Sequence, residues 1–231
     1  MAILLDTRTG PVVQADGNGD QPIRQGRMGA LITADGHGRF FETASRGYMF
    51  SIGMALTNLS ANTITLTATT TPILGVWNPP TSTANLVILQ AALGFVLNTL
   101  TTPVAPGAFL WASSVGNAAI STGLSPFNRR TMQANGSQAK GFTPATALTG
   151  LANNLVVFEA ADFPQPSGQT AGTITASTAS SQFAAGFNGV QNFDGSLIVP
   201  PGGVLALLNT TSTTTYAVAG RLLWEEVPII S

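Results

Sequence analysis

From Gly47 through Asn128 the chain runs 82 residues without an Asp, Glu, Lys or Arg. Soluble domains carry roughly a quarter charged residues, and this chain of 231 residues carries 8%. A run that long has few physical outlets: a membrane, a wet face built from hydroxyls, or burial. The membrane is the weakest of these. The most apolar stretch, Leu86–Leu97, is 12 residues long with Gln90 inside it, whereas a spanning helix needs about 20. Met1–Leu5 is apolar, but Asp6 and Arg8 follow at once, so no signal-peptide core is expected. The run is rich in Thr, Ser, Ala and Asn, which suits strands with a hydroxylic outer face.

The charges themselves divide the chain. Ten of the nineteen fall within the first 46 residues, which also hold seven glycines and no sustained apolar period. Such a segment buries little surface alone and reads as an extended N-terminal arm, residues 1–46, ahead of a sandwich over 47–231. Beyond it, period-two patterning predicts strands. Tyr48, Phe50, Ile52, Met54 and Leu56 alternate with smaller residues, Thr63–Ala68 alternates Thr with aliphatics, and Pro72–Val76 and Leu155–Ala160 are short apolar runs. Leu86–Leu97 reads as a strand rather than a buried helix, because Val87, Ile88 and Val96 are β-branched and Gly94 interrupts it.

Near the C-terminus, Pro200-Pro201-Gly202-Gly203 forms a reversal between Ser196–Val199 and Val204–Asn209. Tyr216–Glu226 makes a last strand with Tyr216, Val218, Leu222 and Trp224 on one face. Arg221 and Glu225 share the other face and read as an edge or interface pair. Two irregular insertions stand out, 121–151 and 162–194. The expected fold class is all-β, a jelly-roll-like β-sandwich.

Little chemistry is legible. With no Cys and one His, thiolate catalysis, disulfides and Cys-ligated metals are excluded. His37 lies between two glycines in the arm, a poor place to hold a catalytic base. Asp16-Gly17-Asn18-Gly19-Asp20 begins like a calcium loop, but Gln21 replaces the turn glycine and Arg27 the bidentate Glu. A Gly-rich turn is the simpler reading. Glu225 and Glu226 are adjacent on a strand and point to opposite faces, and Glu159 and Asp162 end a strand at a turn, so neither pair suits a glycosidase. Trp77, Trp111 and Trp224 flank apolar strands and read as packing rather than sugar platforms. No catalytic residue, metal or cofactor is expected.

A chain this poor in charge favours association, where a charge would be costly to desolvate. Gly38–Glu42 with Arg46–Phe50, Trp77–Pro80, Asn85–Leu89, Val199–Gly203 and Leu223–Pro228 together resemble structural proteins of tailed-bacteriophage virions. That resemblance implies a jelly-roll subunit, trimeric, located in the virion after assembly in the host cytoplasm. Its implied role is a head decoration or cement protein. The alternative is a receptor-binding spike or fibre recognising a host-surface glycan. Expected partners are copies of itself and the major capsid protein or another virion protein, with no nucleic acid and no membrane. Arg24, Arg27, Arg39 and Arg46 are the candidate capsid contacts in the arm, and Arg129, Arg130 and Lys140 a candidate partner-binding loop.

Overall fold

The computed structural model describes residues 7–8, 23–24, 39–58, 69–97, 108–120, 123–163, 187–210 and 216–229. The chain divides into two compact units, Met1–Glu42 and Thr43–Ser231. In the first, β1 (Thr7–Arg8) and β2 (Ile23–Arg24) form a two-residue parallel pair. Residues 41–46 are helical rather than extended: α1 (Phe41–Arg46) has Glu42 in its first turn and Arg46 in its last, the signs its dipole favours. Gly47, at φ +81°, stops it. Its N–H bonds the Ala44 carbonyl and the Tyr48 N–H bonds that of Thr43, the paired closure of a Schellman cap. The chain then leaves in a new direction as a strand.

The second unit is an all-β sandwich. Its remaining strands are β3 (Met49–Asn58), β4 (Thr69–Thr70), β5 (Leu74–Trp77), β6 (Ala84–Leu97), β7 (Phe109–Ser114), β8 (Phe127–Asn128), β9 (Lys140–Phe142), β10 (Leu148–Thr149), β11 (Val156–Ala160), β12 (Phe187–Val199), β13 (Val204–Asn209) and β14 (Tyr216–Pro228). Two five-stranded antiparallel sheets carry the fold, in the orders β12-β6-β14-β3-β8 and β11-β7-β13-β5-β9. Leave aside the short additions β4 and β8–β10. Then the first sheet holds the sixth, third, eighth and first strands in chain order, and the second holds the fifth, fourth, seventh and second. That interleaving is the double Greek key of a jelly roll.

Alternating side chains fill the space between the sheets. Phe50, Ile52, Leu86, Ile88, Leu93, Val218, Leu222 and Trp224 come from the first sheet and meet Leu74, Val76, Phe109, Trp111, Leu205 and Leu207 from the second. All three tryptophans are buried, as packing predicted. Leu86–Leu97 is indeed a strand, inside β6. The Thr63–Ala68 segment lies outside the described residues.

Two expectations change. The Pro200–Gly203 reversal does not make a hairpin, because β12 and β13 belong to different sheets. It turns a corner of the sandwich, with Gly203 N–H donating to Pro200 O (2.8 Å). Asn78, at the corner between β5 and β6, locks both turns: its backbone bonds Gly202 and Gly203, and its Nδ2 donates to Ala84 O and Val199 O. The 121–151 insertion, in turn, is largely a cover. Its Phe142, Leu148 and Leu151, with Leu155, pack on Trp77, Ala112, Val204, Ala206 and Leu208, sealing the outer face of the second sheet. Hence β13 and β5 are buried at every position. The 162–194 stretch is strand from Phe187 onward.

Candidate functional site

The four edge strands of the two sheets fall into two rims, β8 with β9 and β11 with β12, and each rim is organised by one buried amide. At the β8 end of the first sheet, Asn128 builds the turn that follows. Its Oδ1 accepts from Arg130 N (2.9 Å) and Thr131 N (3.3 Å), and its backbone bonds Met132 and Gln133. Met132 sits in the left-handed region (φ 58°), a strained place for a long side chain, and points 63% exposed to solvent. Asn128 Nδ2 donates to Gly47 O (3.0 Å), and Arg129 N donates to Met49 O. A Cβ on Gly47 would lie 3.5 Å from Arg130 Cδ. The structure therefore brings Arg129 and Arg130, named as a loop, beside Arg46, named in the arm.

Lys140 opens β9, the corresponding edge of the second sheet, and pairs with Trp77 of β5. The two edges lie on the same side of the sandwich, because Gly141 of β9 packs directly on Ile52 of β3. So Arg46, Arg129, Arg130 and Lys140 all occupy one rim. Arg39 lies over the Phe40 ring at 5.2 Å, Arg24 is in β2, and Arg27 lies outside the described residues, as do His37 and Asp16–Asp20.

The opposite rim is formed by β11 and β12. Gln191, buried on β12, accepts from Trp111 Nε1 (2.8 Å) and Asp162 N (3.3 Å), and its Nε2 donates to Glu159 Oε1 (3.1 Å). That one amide ties the two edge strands together and sets Glu159 and Asp162 outward. Asp194 lies on the same rim, at the register shift of β12 against β6, in the left-handed region (φ 53°). Val156 (64%), Phe158 (44%), Val190 (52%) and Ile198 are exposed on these two strands. A bulge between Val157 and Glu159 turns Phe158 out of the ladder.

Arg221 and Glu225 are not an edge pair: β14 is the middle strand of its sheet. Arg221 donates to Gln90 Oε1 (2.6 Å), and Gln90 Nε2 to Asn192 Oδ1 (2.8 Å), a polar ladder across the outer face from β14 to β12. Beside it Ala92, Gly94, Ala219 and Gly220 leave an open hollow of about 400 Å³. Glu226, half-buried at the end of β14, accepts from Ser137 Oγ. Burial pushes its carboxyl above the usual range, partly offset by Ser137 and by the Trp224 indole. Among the described residues that indole N–H has no acceptor at hydrogen-bonding distance, so its help is electrostatic.

Among the described residues no group of three or more His, Cys, Asp or Glu side chains could hold a metal ion. The sequence named most of the charged rim residues but not their grouping, and it missed Asn128 and Gln191, which have no signature beyond being amides in a turn and a strand. No family model matches the chain, and neither a curated protein nor a solved structure does.

Proposed function

We propose that the chain is a non-enzymatic structural subunit of a bacteriophage particle, a trimer that decorates and cements the capsid, with its N-terminal segment bridging to neighbouring shell subunits. The observation that carries this reading is the pairing of a jelly-roll sandwich with large apolar side chains left exposed at its rims and very few charges to solvate them. Jelly rolls recur in shells as well as lectins. Fold alone does not assign a function, so the weight rests on the surface. Apolar patches rimmed by polar groups mark association sites, and charge is depleted where subunits bury one another. The phage assignment itself comes from the resemblance of the segments quoted above.

Quantitative mass spectrometry of purified particles, with the major capsid protein as internal standard, tests the proposal. A copy number that scales with the shell is expected. A copy number matching only the tail or a single vertex overturns decoration in favour of a spike or fibre, and absence from the particles overturns the virion reading altogether.

A further inference from the structure

We infer that copies of this chain dock head to tail, the β8/β9 rim of one against the β11/β12 rim of the next, closing into a ring. The inference rests on the assembly reading and specifies its interface. The sandwich has few charges, and they are sorted by sign. Arg46, Arg129, Arg130 and Lys140 lie on one rim, and Glu159, Asp162 and Asp194 on the other. Arg221, Glu225 and Glu226 stand on the central strand, and of these Glu226 reaches Ser137 of the β8–β9 loop, leaving the first rim net positive with four basic side chains against one half-buried carboxyl.

Protection of open strand edges does not account for this. A charge of either sign discourages edge-to-edge pairing, so protection alone leaves the signs mixed. Separation by sign has a different consequence. A two-fold contact pairs a patch with itself and would set like charges together, whereas a heterologous contact sets opposite rims together and propagates or closes. Complementary charge fixes partner and register.

The rims also supply apolar contact, Met132 and Leu124 on the basic side and Val156 and Phe158 on the acidic side, with Val190 and Ile198 of β12 exposed on the adjoining margin of the first sheet's outer face. Their area is that of a small interface. β12 has 13 residues and β11 five, about 40 Å and about 17 Å at the usual rise, and with each layer about 10 Å wide the acidic rim offers about 600 Å² per partner, at the low end of specific contacts, so oligomer strength is expected to depend on concentration. Nucleic acid is disfavoured as the basic rim's partner, because the net charge of −1 provides no attracting field.

Charge reversal in the full chain tests this by sedimentation velocity. R129E/R130E/K140E makes the first rim net negative, three Glu against Arg46, so that both rims are acidic. E159K/D162K makes the second net positive, two Lys against Asp194, so that both are basic. Each is expected to raise the dissociation constant of the oligomer about tenfold or more. The combined variant R129E/R130E/K140E/E159K/D162K restores opposite rims and is expected to recover the wild-type oligomer, which misfolding in either half-swap would not permit. The wild-type oligomer is also expected to loosen as salt rises, since exposed charges are screened within about 10 Å at 0.1 M. Half-swaps that assemble as tightly as wild type, or an oligomer indifferent to salt, overturn rim docking while leaving assembly standing. Half-swaps that keep the oligomer but no longer bind particles assign the rims to another virion subunit and overturn self-docking. A wild-type chain that stays monomeric at all concentrations sinks the assembly reading itself.

Discussion

Gly141→Ala measures how tightly the added strand β9 is seated on the jelly roll. Gly141 faces Ile52 of the opposite sheet. A methyl there would overlap Ile52 Cγ2 outright and would lie 3.2 Å from Ile52 Cβ and 3.4 Å from its Cδ1. Rotating Ile52 cannot relieve this, because its Cβ is fixed to the backbone and its β-branched χ1 is stiff. Ile52 is 4% exposed, so the sheets themselves must separate. Overpacking of this kind costs about 1–3 kcal/mol, here near the upper end. Loss of glycine's freedom in the unfolded chain returns about 0.5–1 kcal/mol. The net expectation is a loss of about 2 kcal/mol, which lowers the urea midpoint by about 1 M for an m-value of about 2 kcal/mol/M. Gly53→Ala, one residue from Ile52 on the outer face, is the control. Its Cβ would meet only Gly220 O, at 3.5 Å, so it is expected to be neutral or slightly stabilising. If Gly141→Ala falls within about 0.5 kcal/mol of wild type, the ordinary range for surface changes, the seating of β9 on β3 is wrong, and with it the placing of Lys140 on the Arg129–Arg130 rim.

Asn128→Ala removes two acceptor bonds and one donor bond at a buried site, and is expected to cost about 2 kcal/mol in urea unfolding and to weaken association in sedimentation. A variant that unfolds like wild type contradicts the role given to that amide. Glu226 has a folded-state pKa raised above 4.5 by burial, so the folded chain holds its proton more tightly than the unfolded one, and stability falls as pH rises through that window. Glu226→Gln removes the fall and keeps an acceptor for Ser137: it is expected to be more stable than wild type at pH 7, with the difference vanishing below about pH 4. A Gln variant weaker at pH 7 reverses the sign and refutes the argument. Deleting residues 1–42 removes the first compact unit whole; the urea midpoint of the sandwich is expected to hold while particle binding is lost, and a truncated chain that still decorates particles disproves the bridging role.

Period-two patterning was enough to find β3, β6 and β14, because each has one face in the core between the sheets and the alternation survives in the letters, whereas β11 was legible only as a short apolar run and is mostly exposed. It was not enough to say which strands share a sheet. The Pro200–Gly203 turn illustrates why: its residues specify a sharp reversal, but whether the next strand pairs with the last or crosses to the other sheet depends on Asn78, more than a hundred residues away. The 121–151 insertion was opaque for a related reason. Phe142, Leu148 and Leu151 are too scattered to form a period, and they have meaning only once Ala206 and Leu208 present an outward apolar row for them to cover. Of the candidate site, the individual arginines were visible. Their meeting at one rim, through the Asn128–Gly47 bond, was not.

The uncharged run from Gly47 to Asn128 has two explanations, one for each sheet. In the second sheet β5 has no solvent face on which a charge could stand, because the chain's own insertion covers it. In the first sheet the outer face is open, yet β3 and β6 meet water there through small or neutral residues, Gly53, Ala55, Ala92 and Gly94. Exposed glycine and alanine leave little apolar area to hydrate, and polar relief comes from outside the run, through Arg221 and Asn192 at either end of the Gln90 ladder. The broad face of the second sheet therefore requires no partner. On the first sheet, Val190 and Ile198 of β12 are exposed on the outer side, beside those small residues, while Val156, Phe158 and Met132 are exposed at the rims. Because the rims, and not that face, are where the charges are parted by sign, the surface of this sandwich argues for association from side to side, with the β12 margin of the first sheet's outer face taking part.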